Sequence, residues 1–190
     1  CGFSSSLVSV TLPSTLDYIG GYQFKNCYAL KNVVIPEGVD SIQVGAFESC
    51  SKLKEITIPD SVETIGNYAF SGCDSFELVV LGANLQTVGE GAFSSNPKLE
   101  RIDFPQNMKN VGSKAFSNNA ELKVIALDDL AGWCGISFAD ETANPLSNGT
   151  VDNIDPLNIE SAGLYINGEE KMKKEIVIPD VTAIGSYTFC

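Results

Sequence analysis

Three cysteines recur at one fixed interval and are the first residues whose type and spacing suggest chemistry. Cys27, Cys50 and Cys73 follow one another at steps of 23 residues, so equal folding of each step would align three thiols. Thiolates bind zinc and carry out redox exchange. Asn96 and Asn119 continue the same interval, and an amide serves neither purpose well. We therefore expect a structural position in which the thiol packs as a small apolar group and the amide bonds local backbone, with a metal or redox site as the alternative.

A second group of chemically capable side chains is a set of carboxylates late in the chain. These residues are Asp140, Glu141, Asp152, Asp155 and Glu160. Two carboxylates can hydrolyse a glycoside, and carboxylate oxygens are preferred ligands of calcium. Their spacing matches no calcium-binding loop. We expect a solvated acidic loop, with calcium binding and acid–base catalysis as the alternatives.

The composition removes several classes of function. The 190 residues include no histidine, so the usual near-neutral general base, the commonest zinc ligand and any Ser-His-Asp triad are missing. Twelve Lys and Arg against 24 Asp and Glu give a net charge of −12, which opposes binding to nucleic acid. No run approaches the roughly 18 apolar residues that cross a bilayer, which predicts no membrane insertion. The sequence predicts no enzymatic activity, no cofactor and no resident metal.

The elements that position these residues are copies of one repeat. The stretch IPDSVETIGNYAFSGC, Ile58 to Cys73, is preceded by IPEGVDSIQVGAFESC and followed by LGANLQTVGEGAFSSN. Self-similarity at a fixed period predicts a solenoid, in which each coil buries its apolar side only against its neighbours. The positions on the 23-residue grid are Pro13, Pro36, Pro59, Pro105, Phe24, Phe47, Phe70, Phe93 and Phe116, with Gly82 in the vacant proline position.

The pattern of each repeat predicts a strand, a turn and a phenylalanine whose side chain points into the core. Ile56 and Ile58 alternate with Thr57, as expected for a strand with one buried face. A proline follows the strand and ends it, because proline has no N–H to donate to a ladder. Gly66 suits a tight turn or a close backbone approach before a short helical or irregular segment that places Phe70 inside. We therefore expect each coil to add one strand to a parallel sheet.

The pattern L-x-x-I-x-I-P-x-x-V-x-x-I-G-x-x-A-F-x-x-C-x-x-L resembles the treponemal-type, BspA-like leucine-rich repeat. The resemblance covers residues 7–127 as five full units and a sixth strand, and residues 172–189 as a last partial unit. It implies an α/β solenoid: a right-handed leucine-rich-repeat coil with a parallel concave β-sheet and short helical or irregular convex segments. It also implies an extracellular or cell-surface location and, as for several members, an adhesive role toward a host or extracellular matrix protein.

The repeat is interrupted after residue 127, where Asp128 stands in the place of the expected proline. Leu122 and Met172 are 50 residues apart, four more than two periods, so one distorted coil with an additional loop fits the gap. Asn167-Gly168 between apolar residues indicates a small β-hairpin, because both positions tolerate a positive φ. We expect an irregular β-hairpin insertion in this part of the solenoid.

The repeats and the interruption together predict a single domain over residues 1–190. It comprises regular repeats at 7–127, an irregular insertion at 128–171 and a final partial repeat at 172–190. Cys1 and Cys190 fall on positions inside a repeat, so we expect the chain to be a fragment of a longer protein, with a lipid-modified Cys1 as an alternative. Trp133 is expected to cover the core where the regular coils stop, and ligand stacking is the alternative.

The outward positions of the predicted strands form one continuous face, and repeat proteins commonly bind through such a face. Its apolar patch consists of Leu78, Val80, Val124 and Ala126, broken by Arg101 and Asp103. Such a patch would anchor an apolar group of a partner while the charges fix its orientation, although exposed β-branched residues are also ordinary in strands. The predicted binding residues are Asn32, Val34, Glu55, Thr57, Leu78, Val80, Arg101, Asp103, Val124 and Ala126.

Three classes of function remain for such a chain. The leading prediction is a protein-binding repeat module of a secreted or cell-surface protein, an adhesin being one form of it, which binds through the concave sheet. The alternative is a passive stalk that presents another domain. A glycan-active enzyme is the remote alternative, and it would require a deep pocket with two carboxylates near Trp133.

Overall fold

The computed structural model describes residues 5–122, 124–127, 136–140, 143, 163–166 and 169–170. Within these residues the chain alternates between strands of two layers. The long-strand layer contains β1 (Ser9–Thr11), β3 (Asn32–Val34), β5 (Glu55–Thr57), β7 (Leu78–Val80), β9 (Arg101–Phe104), β11 (Val124–Leu127), β13 (Gly163–Ile166) and β14 (Glu169–Glu170). The short-strand sheet contains β2 (Tyr18–Ile19), β4 (Ser41–Ile42), β6 (Thr64–Ile65), β8 (Thr87–Val88), β10 (Asn110–Val111) and β12 (Ser137–Phe138).

The strands pair in parallel, in the register set by the repeat. Glu55 pairs with Leu78, and Leu78 pairs with Arg101, so that each residue lies opposite its equivalent in the next repeat. The short-strand sheet follows the same step until Asn110, whose partner Ser137 lies beyond the next equivalent position. The predicted parallel strand in each coil is confirmed. The second strand in each coil is a finding that the hydrophobic pattern did not predict.

Within the part of the chain that the structure describes, the long-strand layer is interrupted between β3 and β5. The strands β1 and β3 form a two-stranded sheet, whereas β5, β7, β9, β11, β13 and β14 form a separate six-stranded sheet. The short-strand sheet, by contrast, is continuous from β2 to β12. Adjacent coils therefore keep a backbone ladder on one side of the solenoid where the ladder on the other side is missing.

Of the predicted short helical or irregular segments, the irregular form is found, and the described residues contain no α-helix. Two residues in each turn adopt a left-handed conformation, such as Tyr22 (φ 56°) and Asn26 (φ 62°) in one coil. Alternate N–H groups also bond to the next coil, as Phe24 N–H does to the Ala46 carbonyl at 2.8 Å. Helical residues need negative φ and local hydrogen bonds, so this segment forms an irregular series of turns.

The phenylalanines of the repeat form a continuous stack through the core. The rings of Phe24 and Phe47 have centroids 5.1 Å apart, and Phe47 and Phe70 follow at 5.2 Å with an interplanar angle of 5°. Phe93 and Phe116 continue the stack at 5.3 and 5.6 Å. This arrangement confirms that each coil places its phenylalanine inside, where it packs on the two neighbouring coils.

Glycine at the turn position allows consecutive coils to approach closely. A Cβ atom on Gly112 would lie 2.5 Å from the backbone nitrogen of Glu90, a distance that real Cβ atoms do not adopt. The predicted close backbone approach is therefore confirmed at this position.

Tyrosine and glycine alternate at another turn position. Tyr22, Gly45, Tyr68 and Gly91 occupy the same place in successive repeats, all with a φ between 55° and 58°. A Cβ atom on Gly45 would lie 2.5 Å from the ring of Tyr22, and one on Gly91 would lie 2.5 Å from the ring of Tyr68. Each tyrosine ring thus covers the glycine of the next coil.

The interrupted part of the chain is described only in places. The strand β13 pairs in parallel with β11, Val124 opposite Gly163, and β14 pairs antiparallel with β13. Several predictions concern residues outside the described ones. They are those for Trp133, the turn at 167–168, both chain ends and the final partial repeat.

Candidate functional site

The outward face of the long-strand layer is built by simple alternation along each strand. In β3, β5 and β7 the middle residue is buried and its two neighbours are exposed, because successive side chains of a strand point to opposite sides. Val34 is 77% exposed, Leu78 42% and Val80 45%. Three apolar side chains thus face outward within a short stretch of the solenoid.

A shallow groove of about 420 Å³ lies on this face over β3, β5 and β7. Its lining includes Asn32, Val34, Glu37, Glu55, Leu78 and Val80. The groove therefore coincides with the interruption between β3 and β5.

Backbone hydrogen bonds show what changes at the interruption. Glu77 N–H bonds to the Lys54 carbonyl at 2.7 Å, and Ile58 N–H bonds to the Val80 carbonyl at 2.9 Å, both between β5 and β7. The equivalent bonds one coil earlier would join Lys54 to Lys31 and Ile35 to Thr57. Neither of these two bonds is made, which leaves the Thr57 carbonyl without a donor from β3.

Arg101 and Asp103 lie on the same face beyond the groove. The Nε and Nη2 atoms of Arg101 donate to the two carboxylate oxygens of Asp103 at 2.7 and 2.9 Å. This geometry compensates both charges within one strand. The pair thus separates the groove from the further strands without adding net charge.

The structure brings together only some of the predicted binding residues. Asn32, Val34, Glu55, Thr57, Leu78 and Val80 line one groove. Val124 and Ala126 are in β11, paired with Arg101 and Asp103 of β9, and their part in the apolar patch stays a prediction. The patch nearest the groove instead groups Leu78 and Val80 with Val34.

Sequence reasoning missed two parts of this site. Glu37 lines the groove although it follows the strand, in a turn outside the alternating pattern. The gap between β3 and β5 also left no signal, because the repeat continues across it without a change in length. Only the polar Asn32 and Glu55 beside Val34 and Leu78 marked the region in the sequence.

The cysteine column is buried and bonded to backbone. Cys27, Cys50 and Cys73 are reduced thiols at most 1% exposed. The Cys50 thiol donates to the Phe24 carbonyl at 3.2 Å, and the Cys73 thiol donates to the Phe47 carbonyl at 3.4 Å. The inward position predicted from the sequence is confirmed, and the thiol also serves as a weak donor there.

Asparagine fills the same position with a larger set of bonds. Asn96 Nδ2 donates to the Phe70 carbonyl at 3.1 Å and to the Phe93 carbonyl at 2.8 Å. Its Oδ1 accepts from Cys73 N–H at 2.8 Å. For both residue types the acceptor is the carbonyl of the repeat phenylalanine in the preceding coil, which explains why they interchange.

Burial also sets the protonation of the thiols. Desolvation raises the pKa of Cys50 to about 12, and the same cause raises the pKa of Cys73 well above its ordinary value. Both groups are therefore neutral thiols near neutral pH. Since the thiolate is the reactive and metal-binding form, this column is poorly suited to redox or coordination chemistry.

Asp140, one of the predicted acidic residues, has a local structural contact. Its Oδ2 accepts from the Ser113 hydroxyl at 2.6 Å, and its Oδ1 accepts from Ala143 N–H at 3.1 Å. The carboxylate thus joins its own turn to the preceding coil. Glu141, Asp152, Asp155 and Glu160 lie outside the described residues.

No group of three or more Cys, Asp or Glu side chains arranged to hold a metal ion occurs among the residues described. In the same part of the chain, no helix has the length and apolar character needed to cross a membrane.

The stacked coils, one long parallel strand per period and buried Leu, Ile and Phe positions define a β-solenoid of the leucine-rich-repeat class. A sequence model of the BspA type leucine rich repeat region matches residues 2–125 in six copies. The chain therefore belongs to the BspA-type leucine-rich-repeat family, as its repeat pattern predicted. A comparison with curated proteins gave no significant match.

Three solved structures are similar to this chain. A leucine rich repeat protein from T. pallidum is 30% identical with a TM-score of 0.60, over 69% of this chain and 68% of that one. A leucine rich cell surface protein from Faecalibacterium prausnitzii is 28% identical with a TM-score of 0.53, over 66% and 40%. The pneumococcal vaccine antigen PcpA is 29% identical with a TM-score of 0.56, over 64% and 30%. The chain thus spans less than half the length of the last two.

Proposed function

We propose that this chain is a protein-binding repeat module whose recognition surface is the outward face of the long-strand layer. The observation that carries the proposal is the cluster of Val34, Leu78 and Val80, exposed around the groove where the layer is interrupted. Exposed apolar side chains grouped in a concave site supply binding energy when a partner covers them. At about 420 Å³ the groove is larger than any single side chain, so it has room for two or more neighbouring side chains of a partner.

The same proposal places the module outside the cell, on a surface or secreted. Similarity to a leucine rich cell surface protein and to a pneumococcal vaccine antigen supports this location. Adhesion to a host or extracellular matrix protein is the form of binding that we propose. The role is recognition rather than catalysis, which agrees with the raised thiol pKa values and with the structural contacts of Asp140.

The test is binding of the purified chain to an array of extracellular matrix proteins, host surface proteins and glycans. The variant Leu78→Asp with Val80→Asp removes the apolar groups on one side of the groove. The control variant is Thr64→Asp with Asn110→Asp, which adds the same charge at exposed positions of the short-strand sheet. We expect saturable binding to a protein that the first variant loses and the control retains.

Each result of the array has a defined meaning when both variants keep the circular dichroism spectrum of the parent. Binding that survives Leu78→Asp with Val80→Asp rejects this face as the recognition surface. Binding to glycans alone would contradict the proposed protein partner. No binding at all would favour a passive stalk, for which the continuous phenylalanine stack and short-strand sheet supply a rigid support.

A further inference from the structure

The groove over β3, β5 and β7 has a charge that its partner must match. Its charged lining residues are Glu37 and Glu55, both exposed carboxylates. The ion pairs of the described residues are Lys25–Glu48, Lys54–Glu77 and Arg101–Asp103, and neither groove carboxylate takes part in them. Lys54, next to Glu55, is already paired with Glu77, and Lys31, the nearest cation to Glu37 in sequence, makes none of these ion pairs. Two acidic groups therefore remain uncompensated beside an apolar patch.

The positions of these groups are fixed by the strand register. Glu55 lies directly opposite Leu78, and Thr57 lies directly opposite Val80. Val34 and Glu37 are on the other side of the interruption, at the end of β3 and in the turn that follows it. A side chain that enters the groove would pass apolar groups and meet a carboxylate on either side.

The interruption adds a backbone acceptor to this arrangement. The Thr57 carbonyl receives no donor from β3, and Thr57 lines the groove. A planar guanidinium has five N–H donors, and an ammonium has three. Either group can donate to a carboxylate and a carbonyl while its methylene stem covers valine and leucine side chains.

We infer that this groove recognises a partner segment in which an arginine or lysine side chain stands next to an apolar residue. The inference rests on the proposed function, and it names the chemistry of the partner. The basic side chain binds Glu37 and Glu55, and the apolar residue covers Val34, Leu78 and Val80. The overall charge of −12 acts in the same direction, because it attracts a basic partner over distance.

The experiment uses a phage-displayed library of random peptides selected on the purified chain. Enriched peptides are synthesised, and their affinities are measured by fluorescence polarisation at low and high salt. The test variant is Glu37→Gln with Glu55→Gln. The control variant is Glu63→Gln with Glu100→Gln, which removes the same charge at exposed positions outside the lining of the groove.

We expect enriched peptides to contain Arg or Lys adjacent to an apolar residue. The test variant should weaken their binding about tenfold, the effect of two partly exposed ion pairs, and the control less than about twofold. Added salt should weaken binding to the parent chain more than binding to the test variant.

Three outcomes would overturn the inference. They are enriched peptides without basic residues, equal affinities for the parent chain and the test variant, and no enrichment of any peptide. Peptides that lack basic residues yet lose binding in Leu78→Asp with Val80→Asp would leave the proposed function intact. Peptides that bind this apolar variant as well as the parent chain would count against both proposals.

Discussion

At the scale of single residues, cysteine and asparagine share a repeat position whose side chain forms hydrogen bonds with buried backbone groups. Both side chains donate to the carbonyl of the repeat phenylalanine in the preceding coil. The amide of Asn96 additionally accepts from Cys73 N–H of that coil. Asparagine therefore joins its own coil to the preceding one in both directions, whereas cysteine contributes one weak bond and a small buried volume.

This difference predicts unequal costs of truncation. Asn96→Ala should lower the free energy of unfolding by about 3 kcal/mol, because the Phe70 carbonyl and the Cys73 N–H lose their side-chain partner inside the core, whereas the Phe93 carbonyl keeps the Asn119 amide as a donor. Cys73→Ala should cost only about 1 kcal/mol, because a thiol is a weak donor. Chemical denaturation of both variants gives the comparison, provided that the denaturant slope is unchanged. Equal losses would contradict this account of the position.

The sequence predicted the inward orientation of this position, because cysteine gives way to asparagine there without a change in period. It did not predict the acceptor. A carbonyl slightly more than one period away becomes a neighbour only through the path of the turns. That path depends on left-handed residues such as Asn26 and Ser49, whose φ values are not encoded by hydrophobic periodicity.

At the scale of the elements, the phenylalanine stack joins consecutive coils inside the core. Phe70 contacts the rings of Phe47 and Phe93 at centroid distances of 5.2 and 5.3 Å, and Phe76 joins at 5.9 Å. It is fully buried. Removing this ring would leave a gap that neighbouring coils cannot fill without breaking their ladders.

Phe70→Ala should therefore lower the free energy of unfolding by roughly 3 to 5 kcal/mol, the cost of a lost aromatic side chain and its cavity. Phe70→Leu is the matched control, and it should recover most of the loss because it refills much of the volume. Guanidinium denaturation measures both. A loss below about 1 kcal/mol for Phe70→Ala would refute the role assigned to the stack.

The sequence predicted the long strands well and the short ones not at all. Ile56 is flanked by polar Glu55 and Thr57, a pattern that marks a strand with one buried face. The short strand Thr64–Ile65 has only two residues, too few to show a period. The segment predicted as helical or irregular is irregular for a related reason: Ala69 and Phe70 are adjacent apolar residues that suit a helix, but alternate N–H groups of this segment bond to the neighbouring coil.

At the scale of the whole molecule, the coils are joined unequally on their two sides. The short-strand sheet connects β2 to β12 without a break, whereas the long-strand layer loses its ladder between β3 and β5. In a solenoid each coil is held only by its neighbours. Local opening should therefore begin at the interruption rather than at random along the regular repeats.

Amide hydrogen exchange can test this expectation with internal controls. Lys54 N–H and Ile35 N–H lack the inter-coil bonds that Glu77 N–H and Ile58 N–H make one coil later. We expect the first pair to exchange about tenfold faster or more than the second pair after correction for intrinsic rates. Equal protection of the two pairs would show that the interruption does not weaken the array.

The candidate site was predictable in its location and only partly in its composition. Alternation within each strand placed Val34, Leu78 and Val80 on the outward face, and the structure confirms their exposure. The concentration of the groove on β3, β5 and β7 follows from a missing ladder between two otherwise regular repeats. A ladder forms only where the backbone N–H and carbonyl groups of two strands lie within hydrogen-bond distance. Residue types alone do not specify backbone positions that finely.

Because tyrosine and glycine alternate along the turns, neighbouring coils differ at this position and every second coil is alike. Tyr22 covers Gly45 and Tyr68 covers Gly91, so each ring occupies the space that a side chain on the following coil would need. Deleting a single coil here would stack tyrosine on tyrosine or glycine on glycine, whereas deleting two would restore the pairing of tyrosine with glycine. At this turn position the structural unit is therefore a pair of coils, although the hydrophobic pattern repeats with every one.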